Sequence, residues 1–348
     1  MSYADLIRRC YDENILYSVL LELTYRCNLD CTFCYNDRDL PGTPLSLEQY
    51  DVLLGDLCDM ETMNVTLSGG EPLAHPDFFA IGARARDLGF VVRIKSNGHA
   101  LRGSLLRRIK AEIAPFSIDI SLHGADAETH DRQTQIPGSF AALMRNLREL
   151  RELGMRFKLN VPLTRWNEHQ IEAVFAIADD LGVSLLVDPA ITPRDNGDRS
   201  PLGLTPSPEA LVQLQVIAQQ RRDARTPELD AEPPEVITPP KKYCGSGSVT
   251  VTVDPLGNVY PCVQLRRAAG SLHRQPIREI WQQSQLLAEV RDQTTKVKDW
   301  IDTLGPGATS MGFCPGIAWA ETGRATALYP MASLRKELAE RAHRADVA

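Results

Sequence analysis

Short apolar stretches alternate along the first half of the chain with longer segments whose apolar residues recur every three to four positions. The short stretches have the pattern of buried β-strands, and the longer ones have the period of amphipathic helices. They predict strands at Tyr17–Leu23, Asn64–Leu67, Val91–Lys95, Ser117–Ser121, Phe157–Leu163 and Ser184–Val187. They predict helices at Tyr3–Glu13, Leu47–Met60, Asp77–Leu88, Gly103–Ile113, Phe140–Leu153 and Glu168–Leu181. Six strand–helix units favour an α/β fold, a partial (β/α)6 barrel of TIM type with a parallel sheet.

The pattern changes after the sixth unit. A helical segment at Glu209–Arg222 precedes Thr226–Pro240, which carries five prolines and several acidic residues. From Tyr243, alternating Val and Thr lead into an Asp-Pro-Leu-Gly-Asn turn and a return strand, which is typical of a β-hairpin. A helix near Ile277–Arg291 follows. We therefore predict a barrel at 1–225, a linker at 226–242, a small hairpin-plus-helix domain at 243–335 and a C-terminal tail at 336–348.

Composition narrows the classes of function. At 348 residues and 43% hydrophobic, the chain can form one large domain and a smaller one. Its net charge of −7 disfavours duplex nucleic acid as a partner. No secretory signal is recognisable at the N-terminus, and no apolar run approaches the roughly 20 residues that span a bilayer. We expect a cytoplasmic protein with no membrane partner.

Three of the eight cysteines stand within eight residues. Cys27, Cys31 and Cys34 follow the first predicted strand, as Cys-Asn-Leu-Asp-Cys-Thr-Phe-Cys. Clustered cysteines in a reducing compartment indicate metal binding before disulfides. Three thiolates on one loop suit a 4Fe–4S cluster that keeps one iron open for a small molecule. A zinc site or a redox-active thiol cluster is the alternative, although structural zinc usually takes a second pair of ligands.

Further short motifs follow the later strands. Ser68-Gly69-Gly70-Glu71-Pro72 comes after the second strand, Ser96-Asn97-Gly98 after the third, and Ser121-Leu122-His123-Gly124 after the fourth. Asn160 lies in the fifth strand. Barrel active sites form at these carboxyl ends of strands. Together with the cysteine loop, the motifs resemble the radical S-adenosylmethionine (SAM) superfamily.

That resemblance implies roles for single residues. Cys27, Cys31 and Cys34 would hold a 4Fe–4S cluster that binds and cleaves SAM, with Phe33 against the adenine. The other implied SAM contacts are Gly69, Gly70, Glu71, Ser96, Asn97, Ser121 and Asn160. In this picture Glu71 meets the amino group of SAM, because an ammonium needs acceptors. We expect His123 and His130 to be structural. Thr134-Gln135 stands where peptide-modifying members often carry Arg-Gly, so a contact from that arginine is not expected.

A second cysteine set lies beyond the linker. Cys244, Cys262 and Cys314, with Gly257 between the first two, resemble the auxiliary-cluster domain of the SPASM/Twitch type. The cysteine block of a second auxiliary cluster is absent, and Thr250 stands where the first cluster has its fourth cysteine. The resemblance implies one auxiliary iron–sulfur cluster, expected to be 4Fe–4S, with an open iron or a non-cysteine ligand. The alternative is a set of buried thiols, the class expected for Cys10 and Cys58.

The resemblance implies that one electron from the reduced cluster splits SAM and that the resulting 5′-deoxyadenosyl radical abstracts hydrogen from a substrate. The leading hypothesis is a ribosomally made peptide. The alternatives are a small molecule in cofactor or antibiotic biosynthesis and a non-catalytic iron–sulfur sensor. An electron donor such as flavodoxin or ferredoxin is an expected partner. Since no leader-binding domain precedes the first strand, we expect either a separate leader-peptide recognition protein or leaderless binding. Val263 stands where dehydrogenating relatives place an aspartate base, which disfavours an oxidation needing that base.

Overall fold

The computed structural model describes residues 2–225, 241–305, 308 and 311–347. Strand and helix alternate six times, as predicted. The strands are β1 (Ser18–Thr24), β2 (Asn64–Gly69), β3 (Val91–Ser96), β4 (Ser117–Ser121), β5 (Phe157–Pro162) and β6 (Leu185–Asp188). The helices are α1 (Tyr3–Glu13), α2 (Leu47–Asp59), α3 (Phe78–Asp87), α4 (Gly103–Arg108), α5 (Ala127–Thr134), α6 (Ser139–Glu152), α7 (Ile171–Leu181) and α8 (Pro208–Arg225). Helix α5 was not predicted because its sequence is mostly polar; the Asp126 side chain caps it by accepting from the Thr129 N–H.

The six strands are parallel and pair in chain order. Alternate residues on one face, such as Leu21 and Leu23 of β1, are buried in the apolar core. Each such burial contributes roughly 1.5–3 kcal/mol. The residues between them lie on the opposite face, which is the inside of the barrel, and several are polar or charged, including Glu22, Asp119 and Asn160. The polar and charged side chains of the sheet therefore face the inside of the barrel.

The C-terminal part continues this sheet. Its elements are β7 (Thr250–Val253), β8 (Asn258–Tyr260), β9 (Gly270–Ser271), α9 (Ile277–Gln283), α10 (Gln285–Thr303), α11 (Pro315–Thr322) and α12 (Pro330–Val347). The predicted hairpin is present, because β7 and β8 are antiparallel. Strand β7 also pairs in parallel with β1, from Ser18 with Thr250 to Leu21 with Val253. The sheet order is thus β6-β5-β4-β3-β2-β1-β7-β8-β9, and the hairpin is fixed to the barrel through β1.

Three predicted boundaries differ from the structure or cannot be compared with it. The predicted helix Ile277–Arg291 is two helices, since Ser284 is extended and its side chain accepts from the Leu287 N–H to cap α10. The predicted tail at 336–348 begins inside α12, so residue 335 is not a structural boundary. Of the predicted linker, residues 226–240 lie outside the described residues. Among the helices that the structure describes, none has the length and apolar composition needed to cross a membrane.

Candidate active site and auxiliary cluster site

The first cysteine loop runs between β1 and α2 and is braced by the loop that follows β3. Within it, the Leu29 N–H donates to Cys27 Sγ at 3.4 Å, and the Cys34 N–H donates to the Cys31 carbonyl at 3.2 Å. Asn97 Nδ2 donates to Asn28 Oδ1 at 2.8 Å and lies 3.7 Å from Cys27 Sγ. The structure therefore brings Asn97 to the loop, as the prediction of a shared site requires.

Burial affects the pKa of two thiols of this loop, Cys27 and Cys31. It raises the pKa of Cys27, and it raises that of Cys31 further, with the neighbouring thiols adding to the effect. Iron–sulfur clusters bind thiolates, and a bound cation reverses this shift. Within the described ranges, no three His, Cys, Asp or Glu side chains converge closely enough to hold a single metal ion.

Two glycines let the end of β2 approach the backbone that enters the cysteine loop. A Cβ on Gly69, whose φ is +134°, would lie 2.3 Å from the Thr24 carbonyl oxygen. A Cβ on Gly70 would lie 2.6 Å from the Arg26 carbonyl oxygen. The Gly70 N–H donates to the Thr24 carbonyl at 2.6 Å. Both glycines are thus required by the chain's own packing, beside any contact with SAM.

The Glu71 side chain joins the loops after β2 and β3. It is 3% exposed and accepts from Ser96 Oγ at 3.0 Å, the Asn97 N–H at 2.8 Å and the Leu73 N–H at 3.3 Å. Burial raises the pKa of Glu71 to about 7, although these three donors act in the opposite direction. The carboxylate therefore has partners within the chain, and its contact with the SAM amino group stays a prediction.

The remaining predicted SAM contacts lie on β4, β5 and the cysteine loop. Ser121 and Asn160 are register partners on adjacent strands. The buried Asn160 Oδ1 has no hydrogen-bond partner within the described residues. Buried amide oxygens are normally satisfied, so this atom points to a bound group. The Phe33 ring lies 5.4 Å from that of His123, where burial lowers the pKa well below the ordinary value, so this histidine is neutral. Together with the cysteine loop and with Gly69 and Gly70, these residues fit SAM and a cluster.

The second cysteine set comes from three separate segments. Cys244 precedes the hairpin, Cys262 follows β8, and Cys314 is the N-cap of α11. Burial raises the pKa of Cys244 to about 12, and the other two thiols of the set add to the shift. Burial also raises the pKa of Cys314, although the backbone N–H groups of Gly316 and Ile317 in the first turn of α11 act in the opposite direction. Thr250, the position without the fourth cysteine, is paired with Ser18 in the sheet. Cys244, Cys262 and Cys314 are thus brought together.

The other two cysteines agree with the prediction of structural thiols. Cys10 is buried in α1 with 2% exposure. Cys58 lies on α2, where its thiol approaches the Leu88 carbonyl at 3.8 Å.

A buried ion network that the sequence analysis missed connects the two cysteine regions. The fully buried Glu22 of β1 accepts from Arg266 at 2.7 and 2.9 Å. Arg266 Nε lies 3.2 Å from Asp195 Oδ2, and the Asp195 N–H donates to the Tyr35 carbonyl at 2.8 Å. Tyr35 directly follows the first cysteine loop, and Arg266 lies four residues after Cys262. The network therefore ties the loops of both sets together.

The charges of this network are set by burial and pairing. Burial raises the pKa of Asp195 to about 6, against the opposing effect of Arg266. For Arg266, burial alone would lower the pKa, but Glu22 and Asp195 raise it above the ordinary value. One signal was available in the sequence, since Glu22 is an acid within an otherwise apolar strand. Nothing in the local sequence marks Arg266 or Asp195 as its partners.

Comparisons with known proteins agree with this geometry. The radical SAM superfamily profile matches residues 21–178, and the SPASM profile, an iron–sulfur cluster-binding domain, matches residues 244–301. The mycofactocin maturase of Mycobacterium ulcerans is 30% identical over 78% of this chain and 76% of the relative. The AdoMet-dependent heme synthase of Methanosarcina barkeri is 27% identical over 78% and 83%, and the PqqA peptide cyclase of Ruegeria pomeroyi is 27% identical over 76% and 73%.

A solved structure shows the same fold. Native anSMEcpe, with bound AdoMet and a peptide, superposes with a TM-score of 0.69 at 16% identity, over 95% of this chain and 98% of that one. The partial barrel with its appended hairpin domain is thus confirmed. The chain belongs to the radical SAM superfamily and carries a SPASM domain after its barrel.

Proposed function

We propose that this enzyme modifies a ribosomally made peptide in the cytoplasm. The observation that carries the proposal is the similarity to the mycofactocin maturase, which spans both the barrel and the SPASM domain at 30% identity. The PqqA peptide cyclase, whose name states a peptide substrate, is similar over nearly the same share of the chain. The barrel is also open at β6, which leaves room for a long substrate to enter from the side.

Family membership supplies the cofactors: a 4Fe–4S cluster, SAM and an auxiliary iron–sulfur cluster. When bound, the first cluster supplies the electron that cleaves SAM reductively to a radical able to abstract hydrogen. We assign Cys27, Cys31 and Cys34 to this cluster and Cys244, Cys262 and Cys314 to the auxiliary one. A flavodoxin or ferredoxin is the expected electron donor.

The chain's own residues position the reactants. Glu71 holds the loops after β2 and β3 together through Ser96 and Asn97, and Asn97 in turn contacts the cysteine loop. Asn160 Oδ1, which accepts no hydrogen bond from the residues that the structure describes, offers an acceptor on the inner face of β5. These contacts fix the site before substrate arrives, and such preorganisation accounts for much of an enzyme's effect on rate.

One observation favours a second candidate. This chain matches 83% of the length of the heme synthase relative, at 27% identity. A tetrapyrrole precursor of haem is therefore the competing substrate. This is a form of the small-molecule alternative. A sensor that never cleaves SAM has no support from the relatives described, all of which are named for a synthetic or maturation activity.

The test is anaerobic co-expression of the enzyme with each short reading frame encoded beside its gene, followed by mass spectrometry of the peptides. A defined mass change in one peptide, absent when Cys27, Cys31 and Cys34 are replaced by alanine, supports the proposal. Haem formation from an added porphyrin precursor, with every peptide unchanged, would assign the enzyme to the second candidate. Absence of 5′-deoxyadenosine under reducing conditions with SAM would leave only a sensor.

A further inference from the structure

We propose that the substrate peptide binds as an added β-strand on the free edge of β6. This inference rests on the proposed function, because it needs a peptide substrate. Strand β6 is the last in the sheet order, and within the described residues no strand pairs with its outer side. A free edge presents unpaired backbone donors and acceptors to any extended chain that reaches it.

The hydrogen bonds between β5 and β6 identify the groups that are free. The Ser184 and Asp188 carbonyls accept from the N–H groups of Leu159 and Leu163, at 3.0 and 2.8 Å. Since backbone groups alternate in direction along a strand, the N–H and C=O groups of Leu185 and Val187 point away from β5. They have no hydrogen-bond partner among the residues that the structure describes. These residues are half-buried or exposed, so water can satisfy the groups in the free protein, and a peptide strand would replace that water with backbone hydrogen bonds.

A cavity of about 700 Å³ runs along this edge. Besides β6, its walls are α7, α8 and α12, with apolar side chains such as Phe175, Leu214 and Leu338 and the small residue Ala218. That volume is within the usual range for ligand sites. The groove therefore combines a backbone edge that gives affinity with apolar walls that can accept every second side chain.

The groove leads to the auxiliary site. A second cavity of about 440 Å³ shares Gly312 and Arg335 with the first and is lined by Cys314 and by Asp188 at the end of β6. Leu186, which is 55% exposed, is the register partner of Asn160 on the inner face of the sheet. A peptide residue beside Leu186 would lie two strand spacings, or roughly 10 Å, from Asn160. An added strand thus places one peptide side chain toward the predicted SAM site and its end toward the auxiliary cluster.

Charge indicates which peptides suit the groove. Three arginines line the first cavity, Arg221, Arg222 and Arg335, and the second adds Arg199. The acidic lining residues are Asp188 and Glu321. Arg221 is paired with Asp179. The other three arginines still outnumber the two acidic lining residues, so the site suits a peptide that carries acidic side chains beside its modified residue.

The first test uses proline on the edge strand. Val187→Pro removes an outward-facing N–H, which an edge strand tolerates, and leaves the pairing with β5 intact. Val187→Ala is the matched control, because it shortens the same side chain and keeps the N–H. The probe is the fluorescein-labelled peptide that wild-type enzyme modifies in the co-expression test, and the readout is anisotropy with the reconstituted protein. We expect at least tenfold weaker binding for Val187→Pro than for Val187→Ala, with unchanged SAM cleavage in the absence of peptide.

A second test acts on the peptide. N-methylation at successive positions should weaken binding at every other residue only, which is the signature of strand pairing and not of general groove binding. If Val187→Pro does not fold, Ala218→Trp fills the groove from α8 and should weaken binding to a similar extent. Equal affinities for Val187→Pro and Val187→Ala, or no alternation along the peptide, would overturn the docking site and leave the proposed function intact. If the wild-type enzyme modifies no peptide, both the docking site and the proposed function are wrong.

Discussion

The two cysteine sets are built in opposite ways. The first lies on one short loop, and its supports are the adjacent strand ends, through Gly70, Glu71 and Asn97. The second gathers Cys244, Cys262 and Cys314 from segments that span 71 residue numbers, and it depends on β7 pairing with β1. The first site is therefore local and stabilised by the barrel, whereas the second is a product of how the appended domain docks. Loss of the first cysteine set should stop SAM cleavage. Loss of the second set should leave SAM cleavage intact but no longer coupled to modification of the peptide.

The largest effect is expected from Cys27→Ala, Cys31→Ala and Cys34→Ala combined. Without thiolates no cluster is held on this loop, so 5′-deoxyadenosine formation should be abolished and the iron content should fall from about eight to about four per chain. The 5′-deoxyadenosine formed with dithionite and SAM is measured by chromatography, and the iron content is measured by iron analysis. Cys10→Ala with Cys58→Ala is the control and should retain both. Continued SAM cleavage in the triple variant would refute the assignment of this cluster.

Replacing Cys244, Cys262 and Cys314 by alanine tests the other side of the comparison. SAM cleavage without substrate should persist, because the barrel carries those elements itself, while peptide modification should fall at least a hundredfold. The domain can also loosen without metal. Limited proteolysis therefore accompanies the assay, to show that the variant is folded. A folded variant that modifies peptide at the wild-type rate would make the second set a vestige.

Arg266→Met tests whether the buried ion network affects only stability or also the coupling of SAM cleavage to peptide modification. It leaves Glu22 buried without its partner, and breaking such a pair costs about 3–5 kcal/mol. The thermal unfolding midpoint should therefore drop, and the yield of modified peptide per 5′-deoxyadenosine should fall because the two cysteine loops are no longer tied.

The control for that variant is Glu22→Leu combined with Arg266→Met. It removes the Glu22–Arg266 pair but leaves Asp195 without its arginine, so it should recover part of the lost stability without recovering the coupling. Recovery of both would show that the network has no role beyond folding. Loss of stability in Arg266→Met with the peptide yield unchanged would lead to the same conclusion.

The sequence predicted local features well and long-range ones poorly. All six strands were predicted to within two residues at each end, because each is an apolar run with clear limits. The cysteine loop and the Ser68–Pro72 motif were predicted for the same reason, since their chemistry lies in consecutive residues. The pairing of β7 with β1 and the contact of Arg266 with Glu22 join residues more than 200 positions apart. No local pattern encodes such contacts, because tertiary packing alone selects them.

A smaller effect is expected from Glu71→Gln. The amide would turn a donor toward groups that already donate, namely Ser96 Oγ or the Asn97 N–H. The loop that contacts the cysteines should shift, and SAM affinity should fall about tenfold, as for one lost charge-assisted contact of roughly 1.5–3 kcal/mol. Equilibrium dialysis with labelled SAM measures this, and the iron content should stay unchanged. Ser96→Ala removes a single donor and should have a smaller effect.

The pH dependence of stability shows whether the buried Glu71 is protonated near neutral pH or is held as a carboxylate by its hydrogen-bond donors. Its pKa of about 7 exceeds the ordinary value of 4.5. Between these values the unfolded chain loses a proton that the folded chain keeps, so stability should decline as pH rises from 4.5 to 7, by up to about 3 kcal/mol. Glu71→Gln lacks this proton and should lack the decline. Unfolding midpoints at pH 5 and 7, with Cys27, Cys31 and Cys34 replaced by alanine in both proteins, give the comparison without a labile cluster. Parallel profiles would mean that Ser96 and Asn97 offset the burial fully, which leaves an ionised carboxylate for the SAM amino group.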